Sequence, residues 1–202
     1  MLQALIFDIG NVLLEFDFRV AYEKLDSLSD GFDVAAMAEV ERLKNLCETG
    51  AISREAFETG VVKTLRFRGT PKDFSDIWED IFTINQPMVD FVESLHGKLP
   101  LYLLSNTSAI HLDHVLETYP IFHYFEDGVY SHEVGMAKPD PEIFQLAAKR
   151  FNVVPEHTGF IDDLLSNIKS AREVGFRGFH YDVRDHATVI AEIATLLPAA
   201  VV

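Results

Sequence analysis

Four short apolar runs set the tightest limit on what this chain can fold into: LQALIFDI (residues 2–9), LPLYLLSN (99–106), HTGFIDD (157–163) and RGFHYD (177–182). Each is short for a helix and stops at a turn signal or at acidic residues, as a buried strand does. Strands that are apolar nearly throughout belong in a parallel sheet covered on both faces. Helical patterns lie between the later runs, as βαβ winding requires. After the second run, Ile110, His111, Val115 and Leu116 fall near helical spacing. Asp140 and Pro141 read as N-cap and first helical residue ahead of Ile143, Phe144 and Ala147. Leu164, Ile168, Ala171 and Val174 form a stripe, and Gly175 stands where a left-handed C-terminal cap belongs.

The first two runs are separated by far more chain than one crossover helix needs. The intervening sequence reads as helices: Val34, Met37 and Val40 at spacing three, Gly50 as a break, Ser53 as an N-cap, and Thr70-Pro71-Lys72-Asp73 as a capping-box start before FSDIWEDIF. The expected fold is therefore α/β: a Rossmann-like three-layer parallel sheet from residues 1–15 and 86–202, carrying an inserted all-helical cap at residues 16–85.

Composition removes several function classes. With 48% hydrophobic and 24% charged residues the chain is globular, not disordered, and it has no apolar run long enough to span a bilayer. A net charge of −15 without a basic patch argues against nucleic acid and anionic membrane as partners. Cys47 is the only cysteine, which leaves neither an intrachain disulfide nor a multi-cysteine metal cluster, and a buried bystander thiol is expected. None of the eight histidines shows a metal-binding spacing. The start MLQALIFDIG does not read as a signal peptide, so a cytoplasmic monomer or homodimer is expected.

In open parallel sheets ligands bind at the carboxyl ends of the strands. Those ends carry Asp8, then Ser105 and Asn106, then Asp162 and Asp163, and the loop before the Pro141 helix adds Lys138. Carboxylates gathered in one cleft repel unless a cation sits among them. Oxygen-only donors point to Mg²⁺. One metal, one ammonium and one hydroxyl facing a carboxylate make a cradle for a phosphoryl group. Taken alone, each residue has a plain reading as a turn, cap or solvated loop residue.

Together, FDIGNV, LLSNT, GMAKPDP and FIDD in this order resemble the haloacid dehalogenase superfamily of hydrolases, of the subfamily whose helical cap follows the first strand. The resemblance spans essentially the whole chain. It implies that Asp8 is the nucleophile that forms an aspartyl-phosphate, that Ser105 and Lys138 hold the transferring phosphoryl group, and that Asn106 shapes the turn beside Ser105. It also implies Mg²⁺ held by Asp8, the Gly10 carbonyl, Asp163 and Asp162, with Asp163 favoured as the direct ligand. Asn167 would support that loop. Gly10, Asn11, Asn106, Glu48 and Asp17 are candidate substrate-binding residues, and Glu15 and Phe16 are placed to shape entry.

Most phosphatases of this superfamily carry a second Asp two positions after the nucleophile, to protonate the leaving alcohol and then activate water. Here that position is Gly10. Such acid–base help is worth about 10²- to 10⁴-fold. The DxGNV form makes the chain similar to α-glucose-1-phosphate phosphatase and to the phosphatase domain of soluble epoxide hydrolase. The first reading is a Mg²⁺-dependent phosphatase acting on a small phosphorylated metabolite, a sugar 1-phosphate being one candidate, with Asp17, a cap side chain or the substrate replacing the acid. The alternatives are a metal-free dehalogenase and a catalytically weak phospho-ligand-binding protein. In the cap, Phe74, Ile77, Trp78 and Phe82 are expected to pack on one helix face, and Arg54, Lys63, Arg66 and Arg68 to be solvated.

Overall fold

The computed structural model describes residues 1–201. In chain order the strands are β1 (Ala4–Phe7), β2 (Leu14–Phe16), β3 (Phe82–Ile84), β4 (Leu101–Ser105), β5 (Asp127–Tyr130), β6 (Thr158–Asp162) and β7 (Arg177–His180). The helices are α1 (Phe18–Ser27), α2 (Val34–Glu48), α3 (Arg54–Leu65), α4 (Pro71–Glu79), α5 (Gln86–Leu95), α6 (Ala109–Thr118), α7 (Ser131–Val134), α8 (Pro141–Arg150), α9 (Leu165–Val174) and α10 (His186–Leu196).

Five strands form one parallel sheet in the order β5-β4-β1-β6-β7, with β1 at the centre. Period-two alternation distributes its side chains. Leu5 and Phe7 enter one core with α5, α6 and α10, whereas Ala4 and Ile6 enter another with α8 and α9. Both faces are therefore dry, which is why the strands lack a polar alternation. A fifth strand, β5, joins the four read from the sequence. It is a four-residue edge strand beginning Asp-Gly, so it carries little intrinsic β signal, and its pairing with β4 defines it.

Helices α1 to α4 pack around a separate core of Leu25, Val40, Leu43, Phe57, Phe74 and Trp78. Cys47 is a buried free thiol in it. Their expected caps are present: Ser53 accepts from Ala56 N at 3.2 Å, and Thr70 and Asp73 form a capping box. Three details differ from expectation. Phe82 is not on the α4 face but on β3, which pairs antiparallel with β2 as a two-stranded ribbon at the base of these helices. Leu164 does not join the core stripe; it is the exposed N-cap of α9. Val34, at the start of α2, is 89% exposed, so only the rear of that stripe packs. No helix among the described residues is long and apolar enough to cross a membrane.

Candidate active site

The site begins where β1 ends. Asp8 continues the strand direction, its N–H donating to Ile161 O at 2.9 Å, and its Oδ1 accepts from Ile9 N at 2.7 Å. The chain then turns sharply, with Leu13 and Leu14 both donating back to Ile9 O, and Asn11 adopts the left-handed conformation that Asn tolerates. From that turn Asn11 Nδ2 donates to Asp163 Oδ2 at 3.0 Å and ties the first strand end to the β6 end.

Lys138 is the hub. Its buried ammonium donates to Asp162 Oδ2 at 2.7 Å and Leu104 O at 2.9 Å and forms an ion pair with Asp8 Oδ1 at 2.9 Å. Burial alone would depress its pKa, but Asp8 and Asp162 outweigh burial and hold it above the usual lysine range. Asn106 sets its position. The amide accepts from Lys138 N and donates to Lys138 O, both at 2.8 Å, so both ends of the Asn106 side chain clamp the lysine backbone. Sequence reasoning placed Asn106 in the turn but had no signal for this clamp, which joins residues 32 apart.

Asp162 is fully buried, and both its oxygens have donors: Leu164 N and Asn167 Nδ2 on Oδ1, Lys138 and Asn167 on Oδ2. Asp163 is half-buried, and its carboxyl is raised by burial against the pull of the Asn11 amide. One oxygen each from Asp8, Asp162 and Asp163 lies within 4.8 Å of the others. Three hard oxygen donors at this spacing fit a small divalent cation, the chemistry of Mg²⁺. Burial pushes Asp8 up to about 6, opposed by the Lys138 ammonium and the neighbouring Ser105 hydroxyl and assisted by Asp162.

Where the turn after Asp8 meets the end of β4, a cleft of about 70 Å³ is walled by Ile9, Gly10, Phe16, Glu48, Ser105 and His111, among others. Glu48 reaches this cleft from the end of α2. Asp17 does not. It caps α1 and is forked by Arg19 at 2.7 to 3.0 Å, which holds its carboxyl below the usual range. Asp17 lines a separate depression with Glu15, Phe16 and Arg19. Arg54 is similarly engaged elsewhere, by Glu58 and Glu79 at 2.7 and 2.8 Å.

His111 and Thr107 line the cleft as well, beyond the residues expected there from the sequence. His111 is buried on α6, with Nε2 3.2 Å from Trp78 O, and burial lowers its pKa to about 4. A carbonyl only accepts, so Nε2 carries the hydrogen and the ring is neutral. The available signal was a polar residue embedded among Ile110, Leu112 and Val115.

Residues 2–175 match the family described as haloacid dehalogenase-like hydrolase. Over 94% of its length the chain is 28% identical to the D-ribitol-5-phosphate phosphatase of Bacteroides thetaiotaomicron, covering 98% of that protein. A haloacid dehalogenase-family enzyme of the same organism, solved with magnesium and inorganic phosphate, superposes with a TM-score of 0.83 at 27% identity, covering 91% of this chain and 96% of that one. A predicted hydrolase of this type from Porphyromonas gingivalis gives a TM-score of 0.80 at 25% identity over 96% and 98% of the two chains. With the parallel sheet, the Asp8–Lys138–Asp162 ion pairs and the family match all in agreement, this chain belongs to the haloacid dehalogenase-like hydrolases.

Proposed function

We propose that this protein is a Mg²⁺-dependent phosphomonoester hydrolase in which Asp8 attacks phosphorus and carries an aspartyl-phosphate. In this reading residues 1–15 and 86–202 form the catalytic core and residues 16–85 the cap. The observation that carries it is the Lys138 ammonium held 2.9 Å from Asp8 and 2.7 Å from Asp162 beside a third carboxylate. A dehalogenase binding an anionic haloacid has no use for that concentration of negative charge. A phosphatase has, because the carboxylates hold a cation.

Asp8, Asp163 and the Gly10 carbonyl would hold Mg²⁺, with Asp162 behind them; its oxygens already serve Lys138, Asn167 and Leu164 N. When bound, Mg²⁺ supplies charge neutralisation for the phosphoryl oxygens. The chain's own groups do the rest. The Ile9 N–H and Lys138 fix one Asp8 oxygen and so aim the carboxylate. Ser105 and Lys138 bind the phosphoryl group as its bond to the leaving oxygen lengthens. Asn106 keeps Lys138 from following the charge away.

The leaving group occupies the cleft under Glu48 and His111. The Bacteroides relative acts on a polyol phosphate, and a small sugar or polyol phosphate is our reading of the substrate here. The test is phosphate release from p-nitrophenyl phosphate and a sugar-phosphate panel, with and without Mg²⁺, by wild type and Asp8→Asn. Release that requires both Mg²⁺ and Asp8 is expected. Metal-independent halide release from a 2-haloacid, with no phosphate released, would overturn the reading.

A further inference from the structure

The leaving group of a sugar or polyol phosphate is an ordinary alkoxide, and it needs a proton that Gly10 has no side chain to give. The cleft beside Gly10 and Ser105 contains one carboxyl that the machinery above leaves unused. Glu48 is half-buried there, and among the described residues its carboxyl takes part in no ion pair and no side-chain hydrogen bond. Every other local candidate is committed or absent from the cleft. Asp17 is forked by Arg19 and does not line the cleft. Glu15 faces the depressions beside the ribbon. His111 is a neutral imidazole whose N–H is taken by Trp78 O.

Resting on the phosphatase reading above, we propose that Glu48 is the general acid and base of this enzyme. As the Asp8 oxygen bonds to phosphorus and the bond to the leaving oxygen breaks, that oxygen takes the Glu48 proton and departs as an alcohol. The Glu48 carboxylate then takes a proton from water as the water oxygen bonds to phosphorus. The bond from phosphorus to Asp8 breaks, releasing inorganic phosphate and the Asp8 carboxylate. Glu48 ends protonated, as it began.

The surroundings suit a group that must hold a proton and then lose it. Burial raises the Glu48 carboxyl above its ordinary range, Lys44 on the preceding turn of α2 pulls it down, and Glu41 pushes it up. Tyr22 feels its charge from α1, His111 shares the cleft from α6, and α7 brings Ser131 and His132 against the turn that follows it. Ser131 Oγ donates to the Glu48 carbonyl at 2.5 Å and accepts from Thr107 N at 2.9 Å, which fixes the end of α2 to the loop beside Ser105.

The test compares wild type, Glu48→Gln and Glu48→Asp with Mg²⁺ on ethyl phosphate, which has no hydroxyls to bind, and on p-nitrophenyl phosphate. Glu48→Gln should cut kcat on ethyl phosphate by about 10²-fold or more. On the aryl ester, whose leaving group needs no proton, it should show a burst of phenolate and then slow turnover as the second step loses its base. Glu48→Asp should recover part of the alkyl activity, and it carries the comparison if the Gln variant does not fold. An ethyl phosphate kcat within about twofold of wild type would overturn the proposal, as would a change confined to KM for polyol phosphates. Wild type that releases no phosphate from either ester would end the phosphatase reading, and this inference with it.

Discussion

At the scale of single residues, Gly10 governs what chemistry the site can borrow. A Cβ built there would lie 2.8 Å from Cε1 of Phe16, so the space an acid would occupy is filled by an aromatic ring from β2. Gly10 does not have a positive φ, so the obstacle is the ring and not the backbone. Phe16 is 39% exposed and has room to swing outward. Gly10→Asp alone should therefore help little, and Gly10→Asp with Phe16→Ala should speed alkyl phosphate release more. The gain should be largest in a Glu48→Gln background, approaching about 10²-fold. Initial rates on ethyl and p-nitrophenyl phosphate check this. Equal gains on both esters would show that the introduced carboxyl is not acting as an acid.

At the scale of elements, the close approach of α2 to α7 places the cap against the core. Gly50, two residues after Glu48, has φ +70°, and a Cβ there would meet His132 O at 2.1 Å. Gly50→Ala therefore forces the α2 turn off α7 and carries Glu48 away from the cleft. Left-handed strain alone costs about 1–3 kcal/mol, and misplacing a reacting group by about 1 Å can cost on the order of 10²-fold in rate. Gly97→Ala isolates the two effects. Its φ of +74° imposes the same strain, but nothing lies within 4 Å of its Cβ. Denaturation midpoints should fall for both variants, further for Gly50→Ala, and kcat only for Gly50→Ala. Unchanged activity in Gly50→Ala would mean that this contact does not position the site.

At the scale of the whole molecule, His111 joins the helical insert to the sheet, stacked on Trp78 with an interplanar angle of 10° and bonded to its carbonyl. Its burial has a consequence for stability against pH. The folded imidazole stays neutral down to about pH 4, whereas in the unfolded chain it protonates near 6.5, as an ordinary histidine does. Between those values the unfolded state binds the extra proton. Stability from this group is complete above pH 6.5 and is lost as pH falls toward 4, at up to about 1.4 kcal/mol per pH unit. Asp8, raised to about 6, has the opposite slope in the same range, because the folded state is the one that binds its proton there. The contribution of His111 is therefore read as the difference between wild type and His111→Gln in urea denaturation from pH 4.5 to 8. That difference should narrow as pH falls and stay constant above pH 7. A constant difference throughout would mean that the ring is not held neutral.

Features set by neighbouring residues are legible in the chain: the two-sided apolar strands, the caps at Ser53, Thr70, Asp140 and Gly175, and the strand-end acids Asp8, Asp162 and Asp163. These depend on local backbone preference and on which side chains a strand delivers to its end. The remaining features depend on contacts between segments distant in the chain. Strand β5 exists because β4 supplies its hydrogen bonds, and the β2–β3 ribbon exists because chain segments far apart meet. The same holds for the carboxyls near the cleft. Asp17 and Glu48 are equal candidates in sequence, yet one meets Arg19 in solvent and the other enters a cleft without a partner. A carboxyl's chemistry follows from what surrounds it, and for Glu48 those surroundings come from α2, α6, α7 and the loop after β4 packing together.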